Sequence, residues 1–210
     1  MKSINQEADS KQTFIAEARR AQIVAAAIKT LDEIGYVQAS LAQIAKRAGI
    51  STALISYHFS DKDDLMNHVL VKLLEESTSY VLERVHQEST PYGQLSAFIT
   101  ASLAYQGTHR AHNSALLEII FNARTPDNIP YYKLNDDDEE PLLHELKEIL
   151  KHGQERGEFG VFNIDVMSSL IQGAIGEYML STGVAQKVDL ETYSTELVKI
   201  VEQATKGIAE

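Results

Sequence analysis

Cysteine is absent from this sequence of 210 residues, and proline occurs only four times. Without cysteine the chain has no disulfide scaffold, thiol nucleophile or thiolate metal site, which fits a reducing cytoplasm. The N-terminal segment also lacks the apolar stretch of a secretory signal. Apolar runs elsewhere are far shorter than the roughly 18–20 residues of a membrane span. We therefore expect a cytoplasmic protein with no membrane partner.

Recognisable catalytic motifs are missing as well. The sequence contains no glycine-rich phosphate loop, no nucleophile elbow and no metalloprotease histidine pair. His109 and His112 have the i, i+3 spacing of one helix face, but no further metal ligands stand out. We expect no enzymatic activity, no cofactor and no metal site.

The net charge of −11 is divided unevenly along the chain. Residues 1–62 contain eight Lys or Arg and six Asp or Glu, whereas residues 63–210 contain eleven and twenty-four. A slightly basic N-terminal part on an acidic remainder favours nucleic-acid contact through the N-terminal part, because the acidic remainder repels DNA.

Apolar residues recur at helical spacing along the chain, and the alternation typical of strands is nearly absent. Gly35 and Gly49 predict helix ends, since glycine adopts a left-handed backbone at little cost. Ser40 with Gln43, and later Ser51, predict helix starts by capping. The predicted helices cover residues 17–34, 40–48, 52–59, 61–85, 92–107, 113–124, 138–156, 164–182 and 189–206. The pattern predicts an all-α protein.

The most specific motif is residues 40–62, SLAQIAKRAGISTALISYHFSDK. Two short helices separated by a glycine-containing turn are typical of the helix-turn-helix, whose second helix enters the major groove. Ala45 and Ala48 are small where the two helices cross, and the second helix begins with short side chains that permit approach to base edges. A plain helical hairpin is the alternative interpretation of this pattern taken alone.

These residues resemble the TetR family of bacterial regulators. The resemblance rests on Ala-Lys-Arg-Ala-Gly-Ile-Ser at 45–51, Tyr-His-Phe at 57–59, Lys62 and Leu65, and it covers about residues 15–70. It implies a three-helix DNA-binding domain followed by a helical ligand-binding and dimerisation domain. It also implies that Ser40, Tyr57, His58 and Lys62 contact phosphates, that Thr52, Ala53 and Leu54 face bases, and that Gln43 reaches one or the other. The complete predicted DNA-binding set is Ser40, Gln43, Lys46, Ser51, Thr52, Ala53, Leu54, Ser56, Tyr57, His58 and Lys62.

The second helix of the motif departs from the family pattern at Ser56, where many relatives have tyrosine, and at Thr52-Ala53. It offers no Arg, Asn or Gln for bidentate base contacts. We therefore expect contacts with thymine methyl groups, or recognition of DNA shape, to contribute more to specificity.

Candidates for a ligand pocket and a dimer interface lie in the C-terminal part, although ordinary core packing is an equally good interpretation of each. The resemblance places the helix that contains Gly173 and Gly176, with the helix before it, in a four-helix dimer interface. The predicted pocket residues are Phe98, Leu103, Tyr105, Glu118, Phe121 and Tyr178. The predicted interface residues are Leu146, Leu150, Leu170, Gly173, Ala174 and Glu177.

The sequence thus predicts a flexible arm at 1–14, a DNA-binding domain at 15–62 and a ligand-binding and dimerisation domain at 63–210. The predicted function is that of a homodimeric repressor, which a small molecule releases from a palindromic DNA operator. An activator or a co-repressor-dependent regulator is the first alternative. A helical enzyme or scaffold with a vestigial DNA-binding domain is the second.

Overall fold

The computed structural model describes residues 2–134, 140–180 and 182–206. Throughout these residues the secondary structure is helical, with an isolated β-bridge between Arg124 and Pro130 and no β-strand. The helices are α1 (Lys2–Gln38), α2 (Leu41–Ala48), α3 (Thr52–His58), α4 (Lys62–Val85), α5 (Pro91–Thr108), α6 (Arg110–Asn122), α7 (Pro141–Glu155), α8 (Ile164–Leu180), α9 (Thr182–Ala185) and α10 (Leu190–Thr205). The prediction of an all-α fold is confirmed. No helix within the described ranges has the length and apolar character to cross a membrane.

The first helix is longer than its sequence pattern predicted. Its backbone is helical from Lys2 onward, through the segment for which we predicted an arm, because residues 2–16 contain no glycine or proline to interrupt it. Gly35 breaks the helix with φ 74° and ψ 168°, as its position predicted, but helical structure resumes and continues to Gln38.

The helix predicted at 138–156 starts within an acidic run of the sequence, residues 136–140. Residues 135–139, and residue 181 near the end of the predicted helix 164–182, lie outside the described residues. Helix α7 begins after Glu140, whose Oε2 atom accepts a hydrogen bond from the Leu143 amide at 3.0 Å.

The described residues form two compact units. The first unit contains the chain up to Leu73 together with Ala111–Leu134. Its core is formed by one apolar face from each of α1, α2, α3, α4 and α6, where the apolar periodicity of each helix directs side chains inward. The fully buried residues of this core include Ile23, Ala27, Leu31, Ile44, Ile55, Leu65, Val69, Ala115 and Ile119.

The second unit contains Leu74–Arg110 and the described residues after Asn135. Helix α5 is its central element, because it packs against α7, α8 and α10. The core of the unit includes Phe98, Ile99, Leu103, Leu146, Leu150, Ile171, Ile175, Leu197 and Val201.

Candidate nucleic-acid interface

Helices α2 and α3 are held in place by local capping. The Gln43 amide donates to Ser40 Oγ at 3.3 Å, and Gln43 Oε1 accepts from the Ser40 amide at 3.0 Å, so the predicted capping box is formed. Gly49 ends α2 in the left-handed conformation at φ 68°. Ser51 Oγ accepts from the Leu54 amide at 3.2 Å and starts α3. These contacts fix the turn of the predicted helix-turn-helix.

One face of α2 and α3 is buried and the other is open to solvent. Ile44, Ala45, Ile55 and Phe59 enter the core of the first unit. The predicted DNA-binding residues all lie outside that core, and Tyr57 is 79% exposed. Leu54, His58 and Lys62 of this set are half-buried, and its other members are exposed.

Helices α2 and α3 contain no acidic residue, and Asp61 is the first acid that follows them. Residues 34–60 contain no Asp or Glu, while Lys46 is exposed on α2. The nearest acid before this segment, Glu33, forms an ion pair with Arg47, whose Nη1 donates to Glu33 Oε1 at 2.9 Å. The Arg47 hydrogen bond holds the pKa of Glu33 below its usual range. Two helices without carboxylates of their own suit contact with a polyanion such as DNA.

Arg47 and Gln22 also attach α2 to α1. Arg47 Nε donates to the hydroxyl of Thr30 at 3.1 Å, and Gln22 Nε2 donates to the carbonyl of Ala48 at 2.7 Å. Both contacts are made at the C-terminal end of α2, and they attach it to two positions of α1 that are eight residues apart. The orientation of the exposed face follows from these polar contacts as well as from apolar packing.

Tyr36, which the sequence interpretation missed, joins three parts of the first unit. Its amide donates to Glu118 Oε2 at 2.7 Å, its carbonyl accepts from Lys62 Nζ at 2.6 Å, and its hydroxyl donates to Asp63 Oδ1 at 3.2 Å. The Lys62 ammonium also lies 4.3 Å from the centre of the Tyr36 ring. Burial, the first of several causes, raises the pKa of Tyr36 to about 12. The one sequence signal was a tyrosine directly after the helix-breaking Gly35.

Lys62 therefore has a structural role in addition to any DNA contact. Desolvation in its half-buried position lowers the pKa of its ammonium. Its hydrogen bond to Tyr36 directs the ammonium to the end of α1. Among the predicted phosphate contacts, Tyr57 is by contrast strongly exposed.

The predicted pocket residues are not gathered in one place. Phe98, Leu103 and Tyr105 are buried in the second unit. Tyr178 is half-buried there, and its hydroxyl donates to the carbonyl of Val188 at 3.3 Å. Glu118 and Phe121 instead belong to the first unit, where Glu118 binds the Tyr36 amide and half of the Phe121 surface is exposed.

A cleft between α5 and α10 in the second unit has a volume of about 570 Å³. Of the predicted pocket residues, it contains only Leu103 in its wall. Its other walls combine aliphatic side chains and Tyr92 with hydroxyls from Ser96, Thr100, Ser194 and Thr195 and with the charged side chains of Glu191, Lys199 and Glu202. This cleft could not be predicted from the sequence, because a pair of helices with hydroxyl side chains has the same sequence pattern whether the helices pack closely or leave a cleft.

The predicted interface residues also divide into two groups. Leu146 and Leu150 are fully buried in the core of their own unit, because they lie on the face of α7 that packs on α5. They therefore present no surface to a partner subunit. Leu170, Gly173 and Glu177 lie on the exposed side of α8, and Ala174 is half-buried.

Comparison with known proteins identifies the N-terminal part most clearly. Residues 23–69 match the family model of bacterial regulatory proteins, tetR family. The HTH-type transcriptional regulator BetI of Stenotrophomonas maltophilia is 36% identical over 86 residues, which is 40% of this chain and 44% of that protein. BetI of Burkholderia ambifaria is 39% identical over 90 residues, 41% of this chain and 45% of its own length. The matched region thus spans less than half the length of these relatives.

Solved structures share the fold over nearly the whole chain. A bacterial regulatory protein in the tetR family from Rhodococcus RHA1 has a TM-score of 0.75 at 16% identity, covering 90% of this chain and 98% of that one. The fatty acid degradation regulator FadR from Bacillus halodurans has a TM-score of 0.73 at 21% identity, covering 90% and 97%. FadR from Bacillus subtilis, solved in complex with stearoyl-CoA, has a TM-score of 0.71 at 22% identity, covering 90% and 99%. At these identities the similarity concerns the fold alone.

Proposed function

We propose that this chain, which belongs to the TetR family of bacterial regulatory proteins, is a homodimeric transcriptional regulator that a small molecule releases from operator DNA. The observation that carries the proposal is the capped α2–α3 pair, with its apolar side buried and its acid-free side exposed. A DNA-binding function requires an exposed surface without acidic residues, like that of α2 and α3. A catalytic function would instead require several reactive side chains close together.

Recognition of the operator is proposed to follow from two kinds of contact. Lys46, Tyr57 and the Ser40 region contact phosphates, and these contacts fix the position of α3 on the duplex. Thr52 and Ala53 at the start of α3 are short and exposed, so the helix backbone approaches the base edges closely. Thymine methyl groups and groove shape then supply most of the sequence preference.

A dimer is proposed because one face of α8 is apolar and exposed. Val166, Leu170, Gly173, Glu177 and Leu180 recur on this face at the three- and four-residue spacing of a helix contact, so the face is apolar except at Glu177. Among the described residues, no atom outside the helix lies within 4 Å of a Cβ added at Gly173 or Gly176. Helix-interior glycines cost about 1 kcal/mol each against alanine, and close approach of a second subunit is the benefit we propose.

A two-fold dimer would present two α3 helices to successive major grooves, about 34–36 Å apart. The operator is therefore proposed to be palindromic. A small molecule that binds the DNA-releasing conformation more tightly shifts the dimer away from the operator by that difference in affinity. The FadR complex with stearoyl-CoA supports such regulation for a protein of this fold.

Selection of the purified protein against a random duplex DNA library at near-physiological salt tests this function. Enrichment of a palindrome with half-sites about one helical turn apart is the expected result. The matched control is Tyr57→Ala, which should enrich weakly or not at all while its helical content and melting temperature stay close to those of the wild type. Absence of salt-dependent binding to any duplex, by a folded dimer, would refute the proposal.

A further inference from the structure

The hydroxyl of Tyr105 is a buried polar group without a partner. Tyr105 lies on α5 in the second unit and is only 6% exposed. Within the part of the chain that the structure describes, its hydroxyl oxygen is inaccessible to solvent and has no hydrogen-bond partner. An isolated buried hydroxyl destabilises a fold, because the group loses its hydrogen bonds to water and gains none in return.

Two other tyrosines of the same unit illustrate the usual arrangement. The Tyr193 hydroxyl donates to the carbonyl of Ala174 at 2.7 Å, and the Tyr178 hydroxyl donates to the carbonyl of Val188 at 3.3 Å. Phenylalanine would fill the position of Tyr105 without a stranded polar atom. Packing within the chain therefore explains the ring of Tyr105 but not its hydroxyl, which needs a different explanation.

Aromatic rings surround Tyr105. Its ring stacks on His109 with centroids 4.2 Å apart and an interplanar angle of 12°, and Tyr80 lies at 5.3 Å in a tilted arrangement. The Arg84 guanidinium lies 3.5 Å from the centre of the Tyr80 ring. The Nδ1 atom of His109 contacts the hydroxyl of Thr108 at 2.8 Å and the carbonyl of Tyr105 at 3.2 Å. The surroundings of Tyr105 are thus aromatic, and aromatic rings favour contact with planar or apolar molecules.

The charge next to Tyr105 restricts what its hydroxyl can bind. Burial, and then the electrostatic effect of the Glu76 carboxylate, raise the pKa of Tyr105 to about 12. Like an ordinary tyrosine hydroxyl, this group is protonated at neutral pH and available as a donor. An anionic acceptor at this place would be repelled by Glu76, so a neutral oxygen is the acceptor that the site favours.

We propose that Tyr105 binds a small apolar molecule through a neutral oxygen, such as a ketone carbonyl, which accepts a hydrogen bond from the phenol. The proposal rests on the proposed function, because this molecule would be the ligand that regulates DNA binding. It assigns the polar contact of the ligand to Tyr105 and its apolar contacts to the neighbouring rings.

The first test measures stability without any added ligand. Tyr105→Phe is expected to melt at the same temperature as the wild type or higher, since the variant removes a stranded hydroxyl. The matched variant Tyr193→Phe should melt lower, because it removes the bond to Ala174. An equal fall in both variants would show that the Tyr105 hydroxyl is satisfied within the protein and would overturn the proposal.

The second test uses three probes of similar size: acetophenone, ethylbenzene, which lacks the oxygen, and benzoate, which is anionic. Binding is followed in spectra of protein with ¹³C-labelled tyrosine, in which the Tyr105 signal is assigned by its absence from Tyr105→Phe. Acetophenone should shift that signal and bind more tightly than the other two probes. Its affinity should fall about threefold to tenfold in Tyr105→Phe, the range for one neutral hydrogen bond.

Failure of this inference can be told from failure of the proposed function by DNA binding of the same samples. Equal affinities of the wild type for acetophenone and ethylbenzene, or no acetophenone binding, would overturn the assignment of Tyr105. In that case enrichment of an operator would still support the DNA-binding function. If the protein binds acetophenone at Tyr105 but selects no DNA, the ligand site is supported and the proposed function as a DNA-binding regulator is refuted.

Discussion

Gly35 and Gly49 are both glycines with positive φ, but their surroundings differ. Gly49 has φ 68° and ψ 31°, and an added Cβ would meet nothing within 4 Å. Gly35 has φ 74° and ψ 168°, a combination that is essentially restricted to glycine. A Cβ at Gly35 would lie 3.1 Å from Glu118 Oε2, the atom that accepts from the Tyr36 amide.

Gly35→Ala is therefore expected to destabilise the protein by about 3 kcal/mol, and Gly49→Ala by about 1 kcal/mol. The larger effect combines backbone strain with displacement of the Glu118 carboxylate. Urea unfolding followed by circular dichroism measures both values. Equal destabilisation by the two substitutions would show that the contact with Glu118 has no energetic effect.

Glu33 makes stability dependent on pH. The pKa of its carboxyl is lowered in the folded protein, mainly by the hydrogen bond from Arg47, so the folded state binds a proton less readily than the unfolded state. The contribution of the ion pair is present at neutral pH and is lost as the pH falls through the lowered pKa. Wild type should exceed Glu33→Gln in unfolding free energy at neutral pH, and the difference should shrink as the pH falls through the lowered pKa of Glu33.

The matched control for this titration is Asp32→Asn, which removes the neighbouring exposed carboxylate. Unfolding free energies of the three proteins from about pH 7 to pH 3 provide the comparison. A constant gap between wild type and Glu33→Gln over that range would contradict the role of Arg47.

Single positions differed in how well the sequence predicted them. Ser40, Gly49 and Ser51 were predicted correctly because a cap or a left-handed turn depends on neighbouring residues. Tyr36 and Arg47 were not found, since their partners lie far away in sequence: the Tyr36 amide bonds to a residue 82 positions later. Local pattern contains no information about such partners.

Helices show the same division between local and distant causes. Most helix ends were predicted closely from capping and periodicity. Helix α1 begins earlier than predicted, and we attribute this extension to the helix propensity of its first residues and not to a tertiary contact. The grouping of the helices was harder to predict. Helix α6 joins the core of the first unit through Ala115, Ile119 and Ala123, whereas the sequence interpretation assigned residues 63–210 to one domain. Apolar spacing predicts that a helix has a buried face, but it does not predict which helix packs against that face.

Helix α8 provides a direct test of the proposed dimer. Leu170 on its open face and Val71 on α4 are similarly exposed, at 51% and 53%. Leu170→Arg should convert the protein to monomers, because a charge would be buried against the partner subunit. Sedimentation equilibrium should find Val71→Arg still dimeric, and a dimeric Leu170→Arg would place the interface elsewhere.

The whole protein carries eleven more negative than positive charges, so its DNA affinity depends on where the positive ones lie. Lys46 on α2 and Lys29 on α1 are both exposed, but only Lys46 belongs to the proposed DNA-binding face. Lys46→Ala should make the plot of log affinity against log salt shallower by about 1 for each phosphate that the lysine no longer neutralises, about 2 per dimer.

Lys29→Ala serves as the matched control, since it removes the same charge from the same unit. Fluorescence anisotropy with the selected operator over a series of salt concentrations measures both slopes. An equal change of slope in the two variants would mean that the charge of the unit acts as a whole and that Lys46 makes no contact of its own.

The contacts of Tyr36 affect how the chain folds during its synthesis. The carbonyl bond from Lys62 closes a loop of 26 residues, but the amide bond to Glu118 closes one of 82. During synthesis, the ribosome would expose α2 and α3 long before it has made the carboxylate that holds the end of α1. A fragment that ends after Leu73 would also lack the apolar side chains that α6 places in the core. The segment proposed to bind DNA is therefore contiguous in sequence but depends on later residues to fold, and nascent chains should remain loosely packed until α6 emerges.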